Sequence, residues 1–152
     1  MKHVFVLDEN IPILAVEGKD DQGNPDLTAD DTIKEIGRNC HRIAVSRELA
    51  DRYWHRLKGL ERRGYYGHEP LSYFAQLVKN SDKVVSPLGP APDLPAALRI
   101  KPDDVIIVQC ALAAGAALVT TDRPLRDAIT ACPALGLRVL SPAEALALAT
   151  SA

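Results

Sequence analysis

Four acidic residues stand where a carboxylate can do chemistry. Asp104 follows Pro102 and Asp103 and opens the apolar stretch Val105 to Ala114, which only Gln109 interrupts. Asp122 follows Ala117 to Thr120, a short apolar run that suits an interior parallel strand. Asp8 directly follows Val4-Phe5-Val6-Leu7, another run of that kind. Glu48 falls in the first turn of a helix that Ser46 can cap, just after the strand candidate Ile43-Ala44-Val45. Strand ends and first turns of helices share one edge of a parallel sheet, the edge at which open α/β sheets bind ligands. Four unpaired carboxylates there would repel one another, and some would hold protons. Mg²⁺ or Mn²⁺ would cancel that charge, and these ions prefer oxygen ligands. Two such ions roughly 4 Å apart clamp an in-line displacement at phosphorus, one activating water and the other stabilising the leaving oxygen.

The elements that must position these acids can be read around them. Lys101 to Pro124, KPDDVIIVQCALAAGAALVTTDRP, forms one unit of helix, stop, strand and new helix. Asp103 or Asp104 is placed to accept backbone N–H bonds at the helix start, Gly115 ends the helix, and Pro124 suits the first turn of the next one. Val105 to Ala114 is apolar nearly all round, which predicts burial on most faces. Taken singly, each acid has a plainer role. Asp104 and Asp122 are good helix caps, and Glu48 is spaced to pair with Arg52 at i+4. Asp103 competes with Asp104, and Asp51 with Glu48.

The remaining segments alternate strand and helix. A short helix is expected over Asn10 to Val16, then a polar loop from Glu17 to Asp26. That loop lacks the ligand register of an EF-hand. Thr28 or Asp30 would cap a helix through Asn39. His41 to Val45 is a strand, and Ser46 to about Lys58 a helix with Leu49, Tyr53, Trp54 and Leu57 on its apolar stripe. Gly59 to Gly67 is glycine-broken and basic, Leu71 to Lys79 helical, and Lys83 to Val85 a minor strand. Ser86 to Pro95 is proline-rich and irregular, with a helical turn from Pro95 or Ala96 to Ile100. Leu125 to Ala131 is a helix, Leu137 to Leu140 the last strand, and Ser141-Pro142-x-Glu144 a capping box opening a helix to about Ala149. This order predicts a three-layer α/β/α sandwich around a mostly parallel sheet of about five strands, one domain over residues 1–152.

VFVLDEN at the start, SRELADRYW around Glu48, and DVIIVQCALAAGAALVTTD with its eighteen-residue step from Asp104 to Asp122 together resemble a PIN domain. The tail LRVLSPAEAL is similar to that family's last strand and helix. PIN domains form the nuclease component of many bacterial and archaeal toxin–antitoxin pairs. The resemblance implies RNA as substrate, hydrolysed to leave a 3′-hydroxyl and a 5′-phosphate. It implies Asp8, Glu48, Asp104 and Asp122 as ligands of Mg²⁺ or Mn²⁺, with Asn10 and Thr120 as supporting polar positions. A protein antitoxin is the implied partner, and a homodimer stays open. Two features depart from the pattern: Glu9, where the family commonly has a small hydroxyl residue, and the long polar insert before Glu48.

Composition narrows the classes. The chain has 152 residues, 47% hydrophobic and 25% charged, ordinary for a globular protein with one core. No apolar run approaches the roughly 20 residues that span a bilayer. Met1-Lys2-His3 reads straight into a strand, so no leader is expected, and Cys40, Cys110 and Cys132 have neither metal spacing nor an even count. A cytoplasmic location is expected. The net charge of −2 does not mark a generic nucleic-acid coat. The charge is polarised, however, with +4 from Arg42 to Arg63 and −5 from Glu17 to Glu35. Arg52, Arg56, Arg62 and Arg63 are therefore candidates for RNA backbone contacts, and Tyr53, Trp54, Tyr65 and Tyr66 for base stacking. His3, His41, His55 and His68 show no ligand-like pairing. Two other classes compete with a metal-dependent ribonuclease. One is a non-catalytic PIN-like module that binds RNA or protein. The other is an aspartyl-nucleophile phosphohydrolase, which wants a second Asp where Asn10 stands.

Overall fold

The computed structural model describes residues 1–151. Five parallel strands lie in the order β3-β2-β1-β4-β5. They are β1 (Val4–Leu7), β2 (Arg42–Ala44), β3 (Val84–Val85), β4 (Ala117–Val119) and β5 (Val139–Leu140). Parallel strands need long crossovers, and helices supply them. These are α1 (Asn10–Glu17), α2 (Thr28–Arg38), α3 (Arg47–Leu60), α4 (Glu69–Lys79), α5 (Pro102–Ala114), α6 (Arg123–Thr130) and α7 (Pro142–Thr150). Helices cover both faces of the sheet, so its central strand has no polar face. Phe5, Val6 and Leu7 are fully buried in β1. Burying each such side chain stabilises the fold by about 1.5–3 kcal/mol. The sheet is thus the expected three-layer α/β/α sandwich, and its strand order reverses between β1 and β4.

Gly115 closes α5 as the sequence suggests, because it takes a left-handed φ of 61° that costs a glycine little. The Ser141–Glu144 capping box forms in full at α7. Other ends differ from expectation. Neither Asp103 nor Asp104 caps α5. Neither Thr28 nor Asp30 caps α2; Asp26 Oδ1 accepts from the Thr28 amide at 2.8 Å and from the Thr28 hydroxyl at 2.5 Å. The turn expected between Pro95 and Ile100 is a single one, closed at its start by Leu98 N donating to Pro95 O. α5 is buried along one stripe, Ile107, Val108, Cys110 and Ala111, with Ala113 exposed, rather than on most faces. α3 runs through Gly59 and ends in a π-type turn, Glu61–Tyr65, that breaks at Gly64 with φ 98°. Burial of Leu57 and Leu60 on either side outweighs the roughly 1 kcal/mol that a mid-helix glycine costs.

Two side chains without a role in the sequence reading tie distant segments together. His41 is buried, accepts from the His3 amide at Nδ1 (3.1 Å) and donates from Nε2 to the Ala149 carbonyl at 2.8 Å. Lys83 Nζ donates to the carbonyls of Ile36 and His41, both at 3.0 Å, and to that of Asn39. It thereby caps the C-terminal end of α2 and holds it against β3. Among the described residues no helix is long and apolar enough to cross a membrane.

Candidate active site

The switch point between β1 and β4 is where a doubly wound sheet opens a crevice at its carboxyl edge. Asp8 leaves β1 there and Asp122 leaves β4 three residues past Val119. Asp8 is buried, and its amide continues the ladder by donating to Val119 O at 2.9 Å. Thr120, also fully buried, donates from Oγ1 to Asp8 Oδ2 at 2.7 Å and accepts from the Asp122 amide at 3.1 Å. Asp122 caps α6, its Oδ1 accepting from Leu125 N at 3.1 Å. Tyr53 from α3 donates its hydroxyl to the Leu7 carbonyl, one residue before Asp8, and so docks α3 on the end of β1. Burial holds that phenol well above its ordinary range.

Asp104 stands in the first turn of α5, half-buried, without a capping bond. Burial and then the charges of Asp122 and Asp8 push its carboxyl up. Asp8 is pushed up by burial and further by Glu9 and Asp122, against the hydrogen bonds from Thr120 and the Asn10 amide. Asp122 thus acts on Asp8, and both act on Asp104, at one edge of the sheet. Glu48 sits on a neighbouring element. It is exposed in the first turn of α3, and after burial it adds to the upward push on the Cys110 thiol, six residues along α5 from Asp104, or about 9 Å of helix rise. It lines a cavity of about 490 Å³ with Ser46, Gln109 and Cys110 under the Pro87–Pro92 segment. Asn10 is exposed as the first residue of α1, Asp51 is exposed on α3, and Asp103 is exposed beside Asp104.

The set suits a hard divalent cation by chemistry, since every side-chain donor is a carboxylate or hydroxyl oxygen, and by charge, since Asp122 adds to the upward push of burial on both Asp8 and Asp104. It is not a preformed cage: among the described residues no three His, Cys, Asp or Glu side chains are gathered closely enough to hold an ion.

Three of the four candidate arginines are engaged. Arg52 does not pair with Glu48; its guanidinium donates to the Asp103 carbonyl and stands 3.9 Å from Glu9. Arg56 stands 3.5 Å from the other Glu9 oxygen. Arg63 pairs with Glu17 at 2.6 Å and lies 5.5 Å from the Tyr65 ring centre. Arg62 is exposed, with no ion pair among the described residues. Tyr53 is core, Trp54 is half-buried with Lys79 Nζ 5.2 Å from its ring centre, Tyr65 is half-buried, and Tyr66 is exposed. Glu9 and Arg52 are the residues that sequence reasoning placed least well. The available signal was an acid next to Asp8 and two arginines at i,i+4 on one helix face.

Neither a family model nor a curated protein sequence matches the chain. Its fold is similar to that of a chain in the crystal structure of VapBC2 from Rickettsia felis bound to a DNA fragment from their promoter. The two share a TM-score of 0.50 and 15% identity, over 91% of this chain and 98% of the other. Identity this low makes the likeness one of fold. It agrees with the PIN-like sandwich read from the sequence.

Proposed function

We propose that the protein is a Mg²⁺- or Mn²⁺-dependent endoribonuclease, the cytoplasmic toxin of a toxin–antitoxin pair with a protein antitoxin as its partner. The observation that carries this reading is the placement of Asp8 and Asp122 at the ends of adjacent strands, tied together through Thr120, with Asp104 near enough for both to push its carboxyl up. Carboxylates left in each other's field are stabilised by a cation, and hydrolysis of a phosphodiester is the chemistry a hard cation in an acid cluster serves. The sequence resemblance to PIN nucleases and the fold likeness to a VapBC2 chain support the same assignment.

Asp8, Asp104 and Asp122 are the proposed ligands, with Glu48 as a fourth. A bound ion would acidify the attacking water and stabilise the leaving oxygen. The chain's own part is orientation. Thr120 fixes one Asp8 oxygen, and α6 fixes Asp122 through its own cap. Tyr53 holds α3 on β1, which keeps Arg52 and Arg56 beside the acids to meet phosphate. The second reading, a PIN-like module that binds RNA or protein without cutting, is favoured by the lack of a gathered ligand cluster among the described residues. An aspartyl-nucleophile phosphohydrolase finds Asn10, exposed, in place of its second acid.

The test is cleavage of structured and unstructured RNA with Mn²⁺ or Mg²⁺ and with chelator, wild type against Asp104→Asn. Cleavage is expected to vanish with chelator and to fall by about a hundredfold or more in the variant. Cleavage that ignores chelator would sink the proposal, and binding without cleavage would select the second reading.

A further inference from the structure

Glu9 is out of place on purely local grounds. It adds a negative charge next to Asp8 and pushes that buried carboxyl further up. Its own side chain is only 17% exposed, and it faces two arginines of α3 across loose separations of 3.9 Å (Arg52) and 3.5 Å (Arg56). Neither approach is a hydrogen bond, so both guanidiniums keep donors to spare. Arg52 is meanwhile steered by the carbonyl of Asp103, which places it between Glu9 and the start of α5. Two guanidiniums one helical turn apart, aimed at one carboxylate beside Asp8 and Asp104, make a fork of the kind that receives phosphate oxygens.

We infer that Arg52 and Arg56 form a phosphate-binding subsite of the candidate active site, and that Glu9 occupies it in the free protein as a resident anion that a phosphodiester displaces. This inference rests on the nuclease reading for the identity of its ligand. Glu9 then sets affinity: it keeps the fork organised and lowers its net charge until a phosphate competes. A merely structural Glu9 would do the opposite, because removing it would loosen the arginines and weaken binding.

The experiment measures binding of a single-stranded RNA oligonucleotide in chelator, over a range of salt, for four proteins. They are wild type, Glu9→Gln, Arg52→Gln/Arg56→Gln, and the triple variant. Glu9→Gln should bind about three- to tenfold more tightly, the scale of two released surface pairs. Its log–log salt slope should steepen by about 0.7, one more phosphate contact on a single strand. The double variant should bind more weakly than wild type, and in that background Glu9→Gln should have no effect. Equal or weaker binding by Glu9→Gln overturns the inference, as does a gain that survives loss of both arginines. If wild type binds and Glu9→Gln changes nothing, this inference falls alone. If none of the four proteins binds RNA, it falls together with the nuclease reading.

Discussion

Thr120 Oγ1 donates to Asp8 Oδ2 at 2.7 Å, a bond that passes from the end of β4 to the end of β1. The same oxygen accepts from the Asp122 amide, so one hydroxyl registers two of the candidate acids against each other. Thr120→Val keeps the shape and deletes the donor. The buried Asp8 carboxylate then loses a partner, at a cost of about 1–3 kcal/mol near neutral pH. Thr120→Ser should recover most of that loss. Chemical denaturation of the three proteins in chelator checks the pair of effects, and a Thr120→Val protein as stable as wild type would show that the bond contributes nothing.

Asp8 and Asp104 should give the metal-free protein a contribution to stability that falls as pH rises. Burial and neighbouring acids hold Asp8 and Asp104 above the ordinary 3.8, so the folded chain keeps those protons to higher pH than the unfolded chain does. The stabilisation is complete below 3.8 and is lost as pH climbs through the raised values. Asp8→Asn should flatten that slope, and Mg²⁺ or Mn²⁺ should offset the loss by binding the ionised form. Melting temperature against pH, with chelator and with metal, reads both. A slope as steep in Asp8→Asn as in wild type would count against Asp8 as its source.

One substitution separates the cap that Asp122 forms from its proposed ligand role. Asn accepts the Leu125 amide as well as Asp does, so Asp122→Asn should leave α6 capped and the metal-free melting temperature equal or higher. Cleavage should nevertheless drop by orders of magnitude, because a ligand charge is gone. A variant that melts normally and cuts RNA at the wild-type rate would remove Asp122 from the proposed set.

Lys83 offers a control far from the acids. Lys83→Met keeps the stem and leaves the Ile36, Asn39 and His41 carbonyls without their donor. A loss of about 1–3 kcal/mol is expected, with RNA cleavage per folded molecule unchanged. An unchanged denaturation midpoint would mean that water serves those carbonyls as well.

What was legible in the sequence is what local chemistry decides. The apolar runs that end at Asp8 and Asp122, the glycine that closes α5 and the Ser141 capping box each carry their signal within a few residues, and each formed as read. The fold followed from their order. What was not legible depends on residues far apart in the chain. The Lys83 cap, the His41 bridge from His3 to Ala149 and the Tyr53 bond to Leu7 join segments with no local trace. The arginines show the same limit. At i+4 from Glu48, Arg52 has an obvious helical partner, yet it meets Glu9 and the Asp103 carbonyl, because tertiary docking of α3 outranks a solvated pair worth a few tenths of a kcal/mol. The same docking places Glu48 with Cys110 on the wall of the cavity under the Pro87–Pro92 segment.

The outermost strands, Val84–Val85 and Val139–Leu140, are each two residues long. An open sheet usually risks recruiting foreign backbone along its rims, and so short a rim offers an incoming strand almost no ladder to extend. Growth of this protein into fibrils or strand-swapped pairs is therefore disfavoured by construction. Any stable self-association has to be built from side chains on the helical layers, where surface substitutions can tune it without disturbing the central β1–β4 seam.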